Sequence, residues 1–259
     1  SEQDRESTSA YLTFEKRFNR TWSMRAGGFF YVRQAFNFNT GSSDQFDPVQ
    51  RRFGRGNTLW DPLNEDGGAA QVDVLADHAF LDGKVRSKTL LTVDYSQNWR
   101  YRQQRQVNSR QYTISAVFLD NPDYSLPPHS AFGIVTRDDK TRWDTKGFFL
   151  RAQVTALDGR LIAFAGLRRD TVTYNFTFGN QYNAAGGALR TPGLVSRYTD
   201  SAWSPSVGLN FKVTPNLAFY SSRSESFTPA GQSARLGEPH LENETSEGWD
   251  YGFKGSFLK

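Results

Sequence analysis

Apolar and polar residues alternate again and again along this chain, and almost nowhere does the 3.6-residue spacing of a helix appear. The clearest run is Ala202 to Val213. Trp203, Pro205, Val207, Leu209, Phe211 and Val213 take the odd positions, and Ala202, Ser204, Ser206, Gly208, Asn210 and Lys212 the even ones. Successive side chains of a strand point to opposite sides, so this run predicts a strand with one apolar and one wet face. From Gly147 to Ala156, Phe148, Leu150, Ala152, Val154 and Ala156 oppose Gly147, Phe149, Arg151, Gln153 and Thr155. From Trp22 to Val32, Trp22, Met24, Ala26, Gly28, Phe30 and Val32 oppose Ser23, Arg25, Gly27, Phe29, Tyr31 and Arg33. A further run starts at Trp249, with Tyr251, Phe253 and Phe257 against Asp250, Gly252, Lys254 and Ser256. Weaker alternation covers 10–16, 71–80, 89–99, 161–178 and 217–223, which makes nine predicted strands.

The connections alternate in length. Short ones fall at Phe18-Asn19-Arg20, Leu81-Asp82-Gly83-Lys84, Leu157-Asp158-Gly159-Arg160 and Thr214-Pro215-Asn216, with the Asp-Gly, Asn and Pro chemistry of tight hairpins. Long ones, roughly 15 to 40 residues each by the run of broken alternation, are expected near 38–70, 103–140, 179–200 and 229–244. In an up-and-down antiparallel sheet this sorting puts every tight turn at one end and every long loop at the other, as in outer-membrane barrels. The aromatics agree: Trp22, Trp203 and Trp249 begin apolar faces, and Tyr95 and Trp99 close one, as girdles at the edges of a bilayer do. Arg25, Arg33, Asp94, Arg151, Arg168, Asp170 and Lys254 fall on the opposite faces, which suits a hydrated lumen.

Composition narrows the classes. The 38 aromatic residues among 259 argue against disorder. A net charge of +4, without any block of five or more basic residues, gives no nucleic-acid signal. Mean hydropathy of −0.64, together with the absence of any run of 18 apolar residues, excludes a transmembrane helix and leaves a transmembrane β-barrel open. There is no cysteine, hence no disulfide framework and no thiolate nucleophile. The opening SEQDRESTSA has neither the basic region nor the apolar core of an export signal.

At WSPSVGLNFKVTPNLAFYSSRSESFTPAG, 203–231, followed by LENETSEGWDYGFKGSFL, 241–258, the sequence resembles the β-barrel of TonB-dependent outer-membrane receptors, the siderophore branch in particular. TKGFFLRAQVTALDGRLIAFAGLRRD, 145–170, is similar to that family's strand, Asp-turn and Gly-Leu-Arg strand, and DNPDYSLPP, 120–128, to an external-loop segment. The resemblance covers roughly 85–259. Two departures stand out: Arg169 occupies the place of a common aromatic after Gly-Leu-Arg, and Arg223 that of a Tyr. A lipid-facing Arg costs about 2 to 4 kcal/mol at mid-bilayer and about 0 to 1 near the interface, so both are expected above the hydrocarbon or facing inward. Nothing resembles the family's N-terminal plug or coupling box. The chain is therefore expected to be all-β, a partial antiparallel up-and-down barrel. Residues 1–259 are expected to supply about nine strands of a larger barrel of about 22, as an internal segment without the plug or the C-terminal strands.

Enzyme and metal chemistry find little support. His78, His129 and His240 lie far apart without ligand spacing, and no phosphate loop, dinucleotide fingerprint or Gly-x-Ser-x-Gly elbow occurs. The Trp-Asp pairs at Trp60, Trp143 and Trp249 are too far apart for propeller repeats. The pair Asp138 and Asp139 would serve glycosidic chemistry only in another fold. No catalytic residue, cofactor or metal ligand is expected. The candidates for ligand contact are Trp99, Arg100, Tyr101, Arg102, Arg105, Arg142, Trp143, Tyr174 and Tyr182, since Arg pairs with carboxylate or catecholate-type oxygens and aromatic faces stack on a planar body. Arg at strand tops equally suits lipopolysaccharide phosphates or a solvated rim.

The resemblance implies an outer-membrane active transporter, not an enzyme, that imports a ferric siderophore or similar chelate, sits in outer-membrane lipid, and couples through a plug to the TonB complex. A passive porin-like barrel, or a soluble all-β carbohydrate-binding or hydrolytic module, would share much of the pattern.

Overall fold

The computed structural model describes residues 2–108, 117–123, 125, 127–183, 186–228 and 243–256, with the side chains of all of these except 2, 3, 38–46, 53–60, 117 and 129. The strands are β1 (Glu2–Arg17), β2 (Trp22–Asp47), β3 (Arg52–Phe80), β4 (Val85–Gln106), β5 (Val117–Phe118), β6 (Ile134–Ala156), β7 (Leu161–Phe178), β8 (Gln181–Tyr182), β9 (Leu189–Thr191), β10 (Leu194–Thr214), β11 (Leu217–Thr228) and β12 (Glu244–Gly255). Nine of them form one antiparallel sheet in the order β1-β2-β3-β4-β6-β7-β10-β11-β12, with β5 appended to the far end of β3 and β8-β9 a separate small hairpin. Every long strand pairs with its neighbours in sequence, the up-and-down arrangement that the alternation predicts. All nine predicted strands are present.

The tight turns cluster at one end, and local chemistry explains them. Asn19 accepts hydrogen bonds through Oδ1 from the amides of Thr21 and Trp22, both at 2.8 Å, which closes the β1–β2 turn. Leu81-Asp82-Gly83 and Leu157-Asp158-Gly159 adopt the same left-handed path, with φ of 51°, 54° and 87° in the first and 54°, 55° and 80° in the second. Two successive positive φ angles give the twist that matches a two-residue hairpin, and Asp and Gly tolerate them.

At the other end the structure corrects the expected loops. Much of 38–70 is strand: β2 and β3 run on as a long hairpin and turn only at 48–51. β4 extends to Gln106 and β6 begins at Ile134, so both ends of 103–140 are strand, and β5 lies among the described residues between them. The segment 179–200 holds the β8-β9 hairpin and the start of β10. In 229–244, residues 229–242 lie outside the described ones. For the first three segments the physical reason is the same: past the apolar band no face of a strand meets lipid, so the chain stays extended where the lipid-side alternation ends.

Register fixes the faces. One ladder row runs Trp22–Ala76–Thr89–Ala152–Ala165–Val207–Arg223–Trp249. It starts at the first residue of β2 and ends in the middle of β12, so the strands are staggered and tilted, as barrel geometry requires. On the apolar side Val93, Leu150, Leu167 and Val207 are 40–53% exposed, whereas on the polar side Thr92, Val172 and Phe176 are 5–6% exposed. Side chains crowd on the concave face of a curved sheet and splay on the convex one. The apolar face is therefore the outside of the curve, a surface too large and greasy for water.

Candidate functional site: the concave face above the apolar band

The concave face is built from rows of cross-strand neighbours. Low on it, Arg168 donates to both oxygens of Asp170, at 2.7–3.0 Å, and reaches across β6 to both oxygens of Asp94 at 3.0 and 3.1 Å. The reach spans two strand spacings. It is possible because the residue between them is Gly147, where a Cβ would overlap the guanidinium and the carboxylate. The Phe164 ring likewise lies over Gly208 and carries the Arg151 guanidinium 4.5 Å from its centroid. Glu15 and Arg25 (3.4 Å) and Arg33 and Glu65 (3.2 Å) continue the charged wall on β1 to β3.

Higher up the wall becomes aromatic. One inward row runs Tyr31–Gly67–Asn98–Trp143–Tyr174–Tyr198, and the next Arg33–Glu65–Arg100–Thr141–Phe176–Ser196. Tyr174 stacks on Tyr198 with centroids 5.0 Å apart and on Phe176 at 5.9 Å, and Phe176 stacks on Phe178 at 5.9 Å. Tyr31 donates through its hydroxyl to Asn98 Oδ1 at 3.0 Å. Burial pushes the Tyr198 phenol up to about 12, helped by Tyr174 and Asp200 beside it, and burial also raises Tyr174. Both stay neutral across the physiological range and present flat, weakly polar rings to the lumen.

The structure divides the candidates named above between the two faces. Arg100, Arg102, Trp143 and Tyr174 point to the concave side. Arg102 is committed there, donating to Asp61 at 3.0 and 2.6 Å while Gln104 adds a third bond to that carboxylate. Arg100 lies beside the aromatic rows in the register. Trp99, Tyr101, Arg105 and Arg142 point to the convex side: Arg142 is bound to Asp144, Tyr95 donates to the same carboxylate at 2.9 Å, and Arg105 donates to Gln103 at 2.8 Å. Tyr182 sits on the β8-β9 hairpin. Tyr198, Phe176 and Phe178 went unflagged in the sequence, although a signal existed. On β7 apolar residues fill both odd and even positions up to Leu167, with Ile162 and Phe164 among the even ones, but only even positions from Val172 to Phe178, so above the band the apolar side faces the lumen alone.

His78 falls in the convex girdle at the tight-turn end, edge-on to Trp22 at 5.8 Å and stacked on Phe80 at 5.9 Å. The side chain of His129 and all of His240 lie outside the described residues. Asp139 is buried and paired with Arg137. Among the described residues no three His, Cys, Asp or Glu side chains converge as a metal site. The two departures resolve differently from each other but both face outward: Arg169 lies over the Trp203 ring at 5.0 Å, and Arg223 lies over Trp249 at 5.8 Å, paired with Glu225 and Glu247. Each shares the level of an interfacial Trp, where the cost of an Arg is about 0 to 1 kcal/mol.

A curved sheet with a convex apolar band, aromatic girdles at both edges, tight turns at one end and a charged and aromatic concave wall is the wall of an outer-membrane β-barrel. The profile of the TonB dependent receptor-like β-barrel family matches residues 1–259, and the chain belongs to that family of bacterial outer-membrane proteins. Among solved structures it is similar to the ferric-catecholate import receptor Fiu of E. coli K12 (TM-score 0.72, 16% identity, 99% of this chain and 39% of that one). It is also similar to the siderophore receptor PiuA of Acinetobacter baumannii (TM-score 0.71, 14% identity, 99% and 38%). A third is FpvA of P. aeruginosa bound to a heterologous pyoverdine (TM-score 0.70, 16% identity, 97% and 31%). The chain thus spans between 31% and 39% of the length of these structures. A comparison with curated protein sequences gives no match.

Proposed function

We propose that this chain is part of the barrel of an active importer of a ferric siderophore, with the rest of a barrel of about 22 strands and a plug completing the lumen. Energy would come through the plug from the TonB complex, and the chain would carry out no catalysis. The observation that carries the reading is the concave aromatic wall of Trp143, Tyr174, Phe176 and Tyr198 with Arg100 in its register. Guanidinium and phenol groups bind anionic chelating oxygens, and stacked rings receive a planar, apolar ligand body. Of the convex candidates, Trp99 and Arg142 serve the membrane edge in this reading rather than the ligand.

The test is uptake of radiolabelled ferric chelates by iron-starved cells that carry the intact receptor, with and without a functional TonB. Uptake that requires TonB, and falls about tenfold in affinity when Tyr174 and Tyr198 are both replaced by Ala, is the expected result. Equal uptake without TonB would favour a passive pore instead.

A further inference from the structure

We propose that Tyr31 is a positioning residue that turns the Asn98 amide toward the lumen, and that this amide, together with Arg100, selects anionic over neutral iron chelates. The proposal rests on the reading of the concave wall as a chelate site and adds the charge class of the ligand. Tyr31, Gly67 and Asn98 are neighbours in one inward row. The Tyr31 hydroxyl crosses β3 to donate to Asn98 Oδ1 at 3.0 Å. Gly67 leaves the room for this, because a Cβ there would lie 2.7 Å from that oxygen and 2.9 Å from Tyr31 Cε1. A carboxamide has an acceptor oxygen and two N–H donors. With the oxygen turned to Tyr31, the Nδ2 donors make no hydrogen bond among the described residues. They are left for the lumen, where Trp143, Tyr174 and Tyr198 continue the same row.

The row above carries the matching charge. Arg33, Glu65 and Arg100 lie side by side on β2, β3 and β4, two guanidiniums to one carboxylate. Glu65 is bound to Arg33 at 3.2 Å, and Arg100 forms no ion pair among the described residues. The carboxylates of the next strands are held in the same way: Asp61 by Arg102 and Gln104, and Asp139 by Arg137. Asp200, one row below Tyr198 on β10, is three strand spacings from Arg100, roughly 14 Å across the sheet. Around Arg100 the acceptors are thus engaged within the wall, and the groups left over are donors. Asn98 and Arg100 stand two residues apart on one face of β4, about 7 Å, so a single ligand reaches both. An anionic chelate accepts from the amide and forms a charge-assisted bond with the guanidinium, whereas a neutral chelate of the same outline gains less from each.

The experiment is calorimetric titration of the intact receptor in detergent with two synthetic iron(III) chelates built on one tripodal backbone. One carries three catecholamides and is trianionic, and the other carries three hydroxypyridinonates and is neutral. The expected result is about a tenfold preference for the trianion. In Tyr31→Phe, which keeps the ring, the preference falls about threefold, while the neutral chelate binds within about twofold of its original affinity. In Asn98→Asp, which keeps an oxygen for Tyr31 and puts a carboxylate in place of the donor, the preference is lost. Equal binding of the two chelates by the unaltered receptor would overturn the proposal and leave the import reading standing. So would an equal weakening of both chelates in Tyr31→Phe, or an unchanged preference in Asn98→Asp. Binding of neither chelate would overturn the chelate reading of the wall, and this proposal with it.

Discussion

Gly147 shows how a single missing side chain organises the concave wall. Its absent Cβ is the space through which Arg168 reaches Asp94, and the same guanidinium holds Asp170. Gly147→Ala should therefore destabilise the intact receptor by about 1 to 2 kcal/mol, the range for a partly exposed charge-assisted contact. In a double-mutant cycle with Arg168→Met the two effects should overlap rather than add. Urea unfolding followed by the loss of the compact band on gels reads both, and full additivity would remove the bridge from the account. Leu157 carries a φ of 54° in its turn, a strained place for a branched side chain. Leu157→Asn should stabilise by about 1 kcal/mol in the same assay. Tyr198 supplies a pH test. Its folded pKa lies above the ordinary value of 10, so the stability it contributes is complete below pH 10 and is lost as pH rises through about 12. Phenolate absorbance should show a late-titrating tyrosine that vanishes in Tyr198→Phe.

At the scale of the strand, legibility followed the solvent. Wherever one side faced lipid and the other the lumen, as in 203–213 or 148–156, period two was plain and both the strand and its faces could be read. Beyond the band the code changed. On β7, Leu161, Ala163, Ala165 and Leu167 give way to Val172, Tyr174, Phe176 and Phe178. The lipid side thus loses its apolar residues from Arg169 onward, while the lumen side, which already carries Ile162 and Phe164, keeps its own, and the strand continues although its pattern changes. On β2 and β3 the far hairpin lacks even that signal and looked like a loop. The candidate site suffered for the same reason: a cluster such as Trp99 to Arg105 is contiguous in sequence, but alternation sends Arg100 and Arg102 inward and Trp99 and Tyr101 outward. Only cross-strand register brings Tyr174 to Tyr198. The two ends of the hairpins should also differ in cells. A short epitope inserted at 48–51 should be labelled on intact cells, whereas one inserted at 158–159 should be labelled only after the outer membrane is opened. The reverse pattern would invert the assigned orientation.

Across the whole molecule, the feature that decides class is where the apolar surface lies. Val93, Leu150, Leu167, Val207 and Leu209 are on the convex side and open, while polar residues such as Thr92 and Asp139 are the shielded ones. A water-soluble sheet protein places these the other way round. The staggered row from Trp22 to Trp249 then carries one girdle Trp at the tight-turn end and another at the far end, which fixes the tilt of the wall in the bilayer. The chain contains no cysteine, so a cysteine introduced into it is the only one within these residues. The most direct measurement is a spin-label scan of β10 from Trp203 to Val213 in the intact receptor reconstituted into lipid. The label should meet lipid-soluble oxygen at odd positions and a water-soluble nickel chelate at even ones, alternating without a break. Uniform accessibility to the aqueous probe, or the opposite phase, would contradict the barrel wall described above.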